Sequence, residues 1–224
     1  MIHYVPGLPE LLPLVTQERG GKRHYVAPSG HLLPSVTTVL SHFNQKSLVD
    51  WRARVGQAEA NRISNVASTR GTRFHSLMER YLRNEDNILR DVMPDMKQAF
   101  FDIRPTLQKI NNIHYIEAQL YSMSLGVAGR TDVIAEYDGV LSIIDFKTSR
   151  REKKEQHIHG YYEQATAYSL MYEELTGTAV DQIVILMSSD GLDKPQIFVQ
   201  EKGNYIASLK AKIKTFQKEF GYVS

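Results

Sequence analysis

Asp138-Gly139 lies between two segments that alternate apolar and polar residues, RTDVIAEY and VLSIIDFKT. An Asp-Gly pair in that setting is a strong signal for a two-residue type I′ hairpin turn. With those two residues as the loop, Tyr137 pairs with Val140. Carrying the register outward brings Asp132 directly opposite Asp145. Directly opposed residues have Cβ atoms roughly 4.5–5.5 Å apart on one face of the sheet. Lys147 is two residues beyond Asp145 and shares that face. Two carboxylates about 5 Å apart repel by ~3 kcal/mol at an effective dielectric of ~20. Replacing either acid should relieve that repulsion, and a divalent cation or a shared proton should compensate it. A bulge or a longer loop would break the register.

An acid-x-Lys tripeptide is weak evidence by itself. The chain has Asp95-Met96-Lys97, Asp145-Phe146-Lys147 and Glu152-Lys153-Lys154. Only the middle one ends an apolar run, IIDFK, with an upstream acid in register. The alternative is a solvated pair of charges closing a strand at a sheet edge.

The surrounding sequence reads as one mixed α/β unit of 224 residues. Residues 1–33 are rich in Gly and Pro, and Gly20-Gly21 marks a small hairpin. Residues 34–110 form a helical N-terminal half, with helices over about 35–43, 48–67, 72–83 and 96–110, the last disturbed by Pro105. Phe74, Leu77, Met78, Tyr81 and Leu82 make a core-facing stripe. Residues 111–224 form an α/β core. There 113–147 alternates with period two as a three-stranded antiparallel meander. A helix over 159–176 follows, then the unbroken apolar run DQIVILMSS of a strand covered on both faces, the strand QIFVQ and a final amphipathic helix.

Composition narrows the chemistry. The chain has no cysteine, which excludes disulfides, thiolate zinc and cysteine-ligated iron–sulfur clusters. Any metal must rest on carboxylates, imidazoles and carbonyls, donors that suit Mg²⁺ or Mn²⁺. No apolar run approaches the ~18 residues of a membrane span. No signal or transit peptide is read at the N-terminus, so a cytoplasmic location is expected. The net charge of +2 hints weakly at an anionic partner, and KTSRREKKE at 147–155 concentrates five basic side chains. A solvated loop is the plain alternative for that run.

In order along the chain, PSVTTVL (34–40), GTRFH (71–75), GRTD (129–132), IDFKTS (144–149) and EQATAYS (163–169) resemble the motifs of the PD-(D/E)XK nucleases. The likeness is to the RecB-type branch, in particular the group of the mitochondrial genome maintenance exonuclease and its phage and bacterial relatives. It spans roughly residues 25–176. The name-giving Pro-Asp is absent, since Asp132 follows Thr131, and the four cysteines of the iron–sulfur members are missing.

The resemblance implies a restriction-endonuclease-like mixed sheet, with an antiparallel meander, a crossover helix and a further strand. It implies a Mg²⁺- or Mn²⁺-dependent DNA exonuclease, preferring single strands, of a bacterium or a phage-infected host. Metal would be held by His75, Asp132, Asp145 and the Phe146 carbonyl. Asp132, Asp145, Lys147, Gln164 and Tyr168 would be catalytic; apart from the motifs, Glu117, mid-strand in HYIEAQL, is a further candidate site acid whose register stays open. Ser35, Thr37, Arg150, Arg151, Lys153 and Lys154 would contact DNA, and His157 and His159 stand at a helix start within reach of phosphate. Plainer roles stay open: a helix-surface pair with Glu79 for His75, and core packing for Tyr168. A structure-selective endonuclease and a non-catalytic DNA-binding module remain as other readings of the whole.

Overall fold

The computed structural model describes residues 1–222; Val223 and Ser224, which close the expected core region 111–224, lie outside the described residues. Gly20 and Gly21, both at positive φ, turn β1 (Val15–Arg19) into β2 (Lys22–Val26), as expected, and β3 (Leu32–Pro34) completes a small antiparallel sheet. Ser35 caps α1 (Val36–His42), its Oγ accepting the Thr38 N–H at 3.0 Å, which satisfies a donor that a helix start leaves free.

The next helices depart from the expected boundaries. α2 (Gln45–Val55) ends at Gly56, whose φ of 85° suits only a residue without Cβ. α3 (Gln57–Leu82) then runs unbroken through Gly71, where a break was expected. A glycine inside a helix costs about 1 kcal/mol, and the buried stripe of Phe74, Leu77, Met78 and Leu82 outweighs it. α4 (Pro94–Leu107) starts earlier than expected, on a proline in its first turn, which lacks an N–H that would have gone unused. It tolerates Pro105 and ends sooner, because residue 110 already pairs in the sheet.

The rest of the chain comprises β4 (Ile110–Ile116), β5 (Gln119–Ser122), β6 (Val127–Arg130), β7 (Val133–Tyr137), β8 (Val140–Ser149), α5 (His159–Thr176), β9 (Gln182–Ser189), β10 (Gln196–Glu201) and α6 (Ile206–Phe220). Among the described residues the main sheet has the order β10-β9-β8-β7-β4. β4, β7 and β8 are the expected antiparallel meander, α5 carries the chain across to β9 parallel to β8, and β10 returns antiparallel. The register from Tyr137↔Val140 to Val133↔Ile144 is the one set by a two-residue Asp138-Gly139 turn.

The meander is not three uninterrupted strands. Its first two arms bend at 117–118 and 131–132, and their outer halves leave the main sheet to pair as β5 with β6. Glu117 makes the bend by taking φ 57°. The bonds Glu117 N–H to Asp132 O (2.8 Å) and Thr131 N–H to Ala118 O (3.0 Å) carry the ladder around it.

Apolar layers cover both sheet faces. On one, Ile143, Ile183 and Ile185 meet Tyr168, Met171 and Tyr172 of α5 and Leu209, Ile213 and Phe216 of α6. On the other, Ile144, Phe146, Val184 and Leu186 meet α3 and α4 through Phe74, Met78, Phe100 and Ile103. Alternation along β8 therefore puts Asp145 on the α5 side, as expected from period two. No helix among the described residues is long and apolar enough to cross a membrane.

Candidate active site

Where β7 and β5–β6 diverge, the edge of β8 is left open, and the charged groups collect there. Continued pairing would offer the Phe146 N–H a partner at Thr131, but Thr131 has turned to Ala118. The Asp132 carboxylate takes its place, Oδ2 accepting the Phe146 N–H at 2.7 Å. Its other oxygen, Oδ1, faces His75 Nδ1 at 3.2 Å. Glu117, turned inward by its left-handed backbone, completes a trio. Donor atoms of His75, Glu117 and Asp132 all lie within 4.8 Å of one another.

Beside this trio is a second, more buried group. Asp145 is 1% exposed, and its Oδ2 is ion-paired with Lys147 Nζ. Gln164 Nε2 reaches both Asp145 Oδ1 at 3.4 Å and the Tyr168 hydroxyl at 3.1 Å, one turn apart on α5. The Lys147 ammonium also lies 5.1 Å from the Tyr161 ring centroid. Gly129 is required for this packing: a Cβ there would lie 2.6 Å from Tyr168 Cε1.

The electrostatics follow from burial and these pairings. Burial pushes Asp145 up, the Lys147 charge pulls against it, and the carboxyl ends above its ordinary range. Burial opposes ionisation of Asp132 too, but the hydrogen bond and charge of His75 hold it below the usual value. Burial would lower His75, yet Asp132 outweighs it and raises the imidazole. Lys147 is likewise raised, desolvation being overcome by Asp145 and Asp132. With only these protein groups around it, Lys147 is an ammonium. Glu117 is raised, burial first, with Arg130 opposing and Asp132 and Glu79 adding to the rise.

Residues 48–220 match the family model of the PD-(D/E)XK nuclease superfamily. The chain belongs to that superfamily. It is 27% identical over 157 residues to mitochondrial genome maintenance exonuclease 1 of Mus musculus and 25% identical over 158 residues to the protein of the same name from Homo sapiens. Each alignment covers 63% of this chain and 46% of the relative, so the chain spans about half the length of the curated relatives it matches. A solved structure described as the crystal structure of SSO0001 aligns over 76% of this chain and 71% of its own at 13% identity and TM-score 0.38, a distant likeness only.

The expected PD-(D/E)XK residues divide into those the fold gathers and those it does not. His75, Glu117, Asp132, Gln164, Tyr168, Ser35 and Thr37 line one cavity of about 430 Å³, with Asp145 and Lys147 tied to it through Gln164 and Asp132. The alternative pairing of His75 with Glu79 is not what forms, since Glu79 binds Arg83 at 3.0 Å. Phe146 meets the site through its N–H, and its ring packs edge-on to Phe74 and His75.

The basic run lies outside that cavity. Arg150, Arg151, Lys153 and Lys154 follow β8 onto a neighbouring surface, where the side chain of Gln196 holds the Lys153 backbone by two 2.8 Å bonds. Lys154 borders a separate shallow depression with His159, Tyr162 and Tyr205. His157 is exposed in a 3₁₀ turn, and His159 Nδ1 lies 3.4 Å from buried Glu163. The cavity wall also contains Arg23, Tyr25, Thr72, Ser76, Glu79 and Arg130, which the sequence reading did not assign to it. Thr72, Ser76 and Glu79 were findable as the helical neighbours of His75, and Arg130 as part of GRTD. Arg23 and Tyr25 carry no local signal, since the small sheet is brought there only by tertiary packing.

Proposed function

We propose that this chain is a metal-dependent deoxyribonuclease that hydrolyses phosphodiester bonds from a free end of DNA, preferring single strands. The observation that carries the reading is the convergence of His75, Glu117 and Asp132 beside the buried Asp145–Lys147 pair in one open cavity. The names of the mouse and human relatives support DNA as substrate and exonuclease as the mode.

The donor set fits a hard divalent cation. It offers one imidazole and two carboxylates, with no thiolate, and those groups suit Mg²⁺ or Mn²⁺. His75, Glu117 and Asp132 would hold the ion, with Asp145 and the Phe146 carbonyl closing the set. The chemistry such an ion supplies is polarisation of the phosphate and acidification of bound water. The chain's own groups do the remaining work. The Phe146 N–H fixes Asp132, and Gln164, itself steadied by Tyr168, fixes Asp145. Lys147 sits where its ammonium can orient the attacking water and stabilise charge on the phosphate in the transition state. Ser35 and Thr37 offer hydroxyls, and Arg23 and Arg130 guanidinium groups, to the phosphates of a strand entering the cavity. Arg150, Arg151, Lys153 and Lys154 would contact the strand further out.

The test uses end-labelled linear and circular single-stranded DNA with Mg²⁺, with Mn²⁺ and with excess EDTA. Stepwise shortening of linear DNA only, and only with metal, is expected. A cut circle would replace the reading with a structure-selective endonuclease, and binding without cleavage in every condition would make the chain a DNA-binding module.

A further inference from the structure

Glu117 reaches the cavity through a bend in the backbone and faces charges of both signs. Asp132 and Glu79 repel its carboxylate, and His75 and Arg130 attract it. The Arg130 contact is direct, Nε to Oε2 at 2.8 Å. The two partners differ in freedom: the Glu117 side chain is 21% exposed, that of Arg130 56%. The guanidinium therefore stands at the cavity mouth with room to turn, on a wall it shares with Ser35, Thr37 and Gln164.

We propose that Arg130 is a two-position cation, neutralising Glu117 when the trio holds no metal ion and turning to grip a strand phosphate when Glu117 is engaged by a divalent cation. This rests on the trio being a metal site. Glu117 ligated to a doubly charged ion no longer needs the guanidinium, and that ion repels it. The planar fork of an arginine matches phosphate oxygens as well as it matches a carboxylate. The Nε–H that meets Glu117 cannot meet a phosphate oxygen as well, so a two-toothed grip on phosphate through Nε and a terminal nitrogen requires the guanidinium to leave the carboxylate. Metal occupancy and strand affinity are then coupled through Arg130, and the coupling is reciprocal.

The test measures binding without relying on turnover. Mn²⁺ is titrated calorimetrically into the full chain as wild type, Arg130→Ala, Arg130→Gln, Glu117→Gln and Asp132→Asn, without nucleic acid. Removing the competitor should tighten Mn²⁺ binding by about two- to fivefold, the scale of a partly exposed ion pair. In a Glu117→Gln background the Arg130 change should have no effect. A phosphorothioate single strand, charged yet resistant to hydrolysis, is then bound across a salt series. With Mn²⁺, Arg130→Ala should flatten the log–log salt dependence by about 0.7, one phosphate of a single strand. In EDTA the wild-type and variant slopes should coincide. Unchanged or weaker Mn²⁺ binding by both Arg130 variants overturns the proposal, as does an equal slope difference in Mn²⁺ and EDTA. Mn²⁺ binding lost in Asp132→Asn but untouched by Arg130 leaves the metal site standing and removes only Arg130. No saturable Mn²⁺ binding by wild type removes both.

Discussion

A side chain at φ 57° strains its backbone by roughly 1–2 kcal/mol, and Glu117 holds that conformation with Asp132 as a neighbour. Glu117→Gly should therefore raise metal-free stability by about 1 kcal/mol while cutting cleavage severely. Urea unfolding beside a nuclease assay checks it, and a variant that is both less stable and fully active refutes the placement. The sequence reading expected either acid, Asp132 or Asp145, to relieve repulsion when replaced. The structure separates them, because buried Asp145 neutralises the partly buried Lys147. Asp145→Asn strands that ammonium and should cost about 3 kcal/mol, whereas Asp145→Asn with Lys147→Met removes both charges and should recover most of the loss. Each variant should be inactive. Chemical denaturation of the single and double variants decides it, and additive losses would show that no pairing exists. The register from Tyr137↔Val140 to Val133↔Ile144 was legible because a two-residue turn fixes it pair by pair; it stops one pair short of Asp132 and Asp145, where the Asp132 carboxylate takes the Phe146 N–H. The role of Glu117 was less so: HYIEAQL alternates like a continuous strand, and no local pattern marks a left-handed glutamate in its middle.

Legibility at the level of elements followed the same division between local and tertiary causes. α5 and the strand register came through because apolar periodicity and turn chemistry are local. The boundary between α2 and α3 did not, because two glycines, Gly56 and Gly71, competed as breakers and the structure uses the one with positive φ. Gly71 has helical neighbours and no crowding: a Cβ there would meet Thr148 Oγ1 at 3.9 Å, an ordinary contact. Nothing in the folded chain requires glycine at that position, yet it lines the cavity one turn before His75. On the function proposed above, a glycine there would let a substrate strand approach the α3 backbone closely. Gly71→Ala should then stabilise the protein by about 0.5–1 kcal/mol and raise KM for DNA with little change in kcat. Thermal melts and steady-state kinetics check it. Unchanged KM would mean that the glycine answers to nothing in the site.

The whole molecule places its charged cluster at the seam between two apolar layers, so the titration of that cluster bears on global stability. The signs can be worked out group by group for the metal-free protein. His75 is raised by Asp132 against the pull of burial; its contribution is fully present below its unfolded value near 6.5 and is lost as pH rises through the folded value. Burial raises Glu117, so stability present when it is protonated is lost as pH rises from about 4 through its folded value. Asp132 runs the other way: despite burial, His75 depresses it, and its contribution is lost only as pH falls through that low value. Above about pH 5 the site should thus weaken the metal-free protein as pH rises. A divalent cation reverses the trend, since it binds neutral imidazole and ionised carboxylates and competes with protons for both. At a hundred times its dissociation constant it adds about 2.7 kcal/mol, which for a chain of this size is roughly 5–10 °C in Tm. The Tm difference between Mn²⁺ and EDTA should therefore be small near about pH 5.5 and approach that full increment near about pH 8. In His75→Ala it should be smaller and flatter across the range, because the competing imidazole proton is gone. Melts of both proteins across this pH range decide the matter: an increment that is constant with pH in wild type, or identical in His75→Ala, would take the imidazole out of the metal site and leave carboxylates alone to hold the ion.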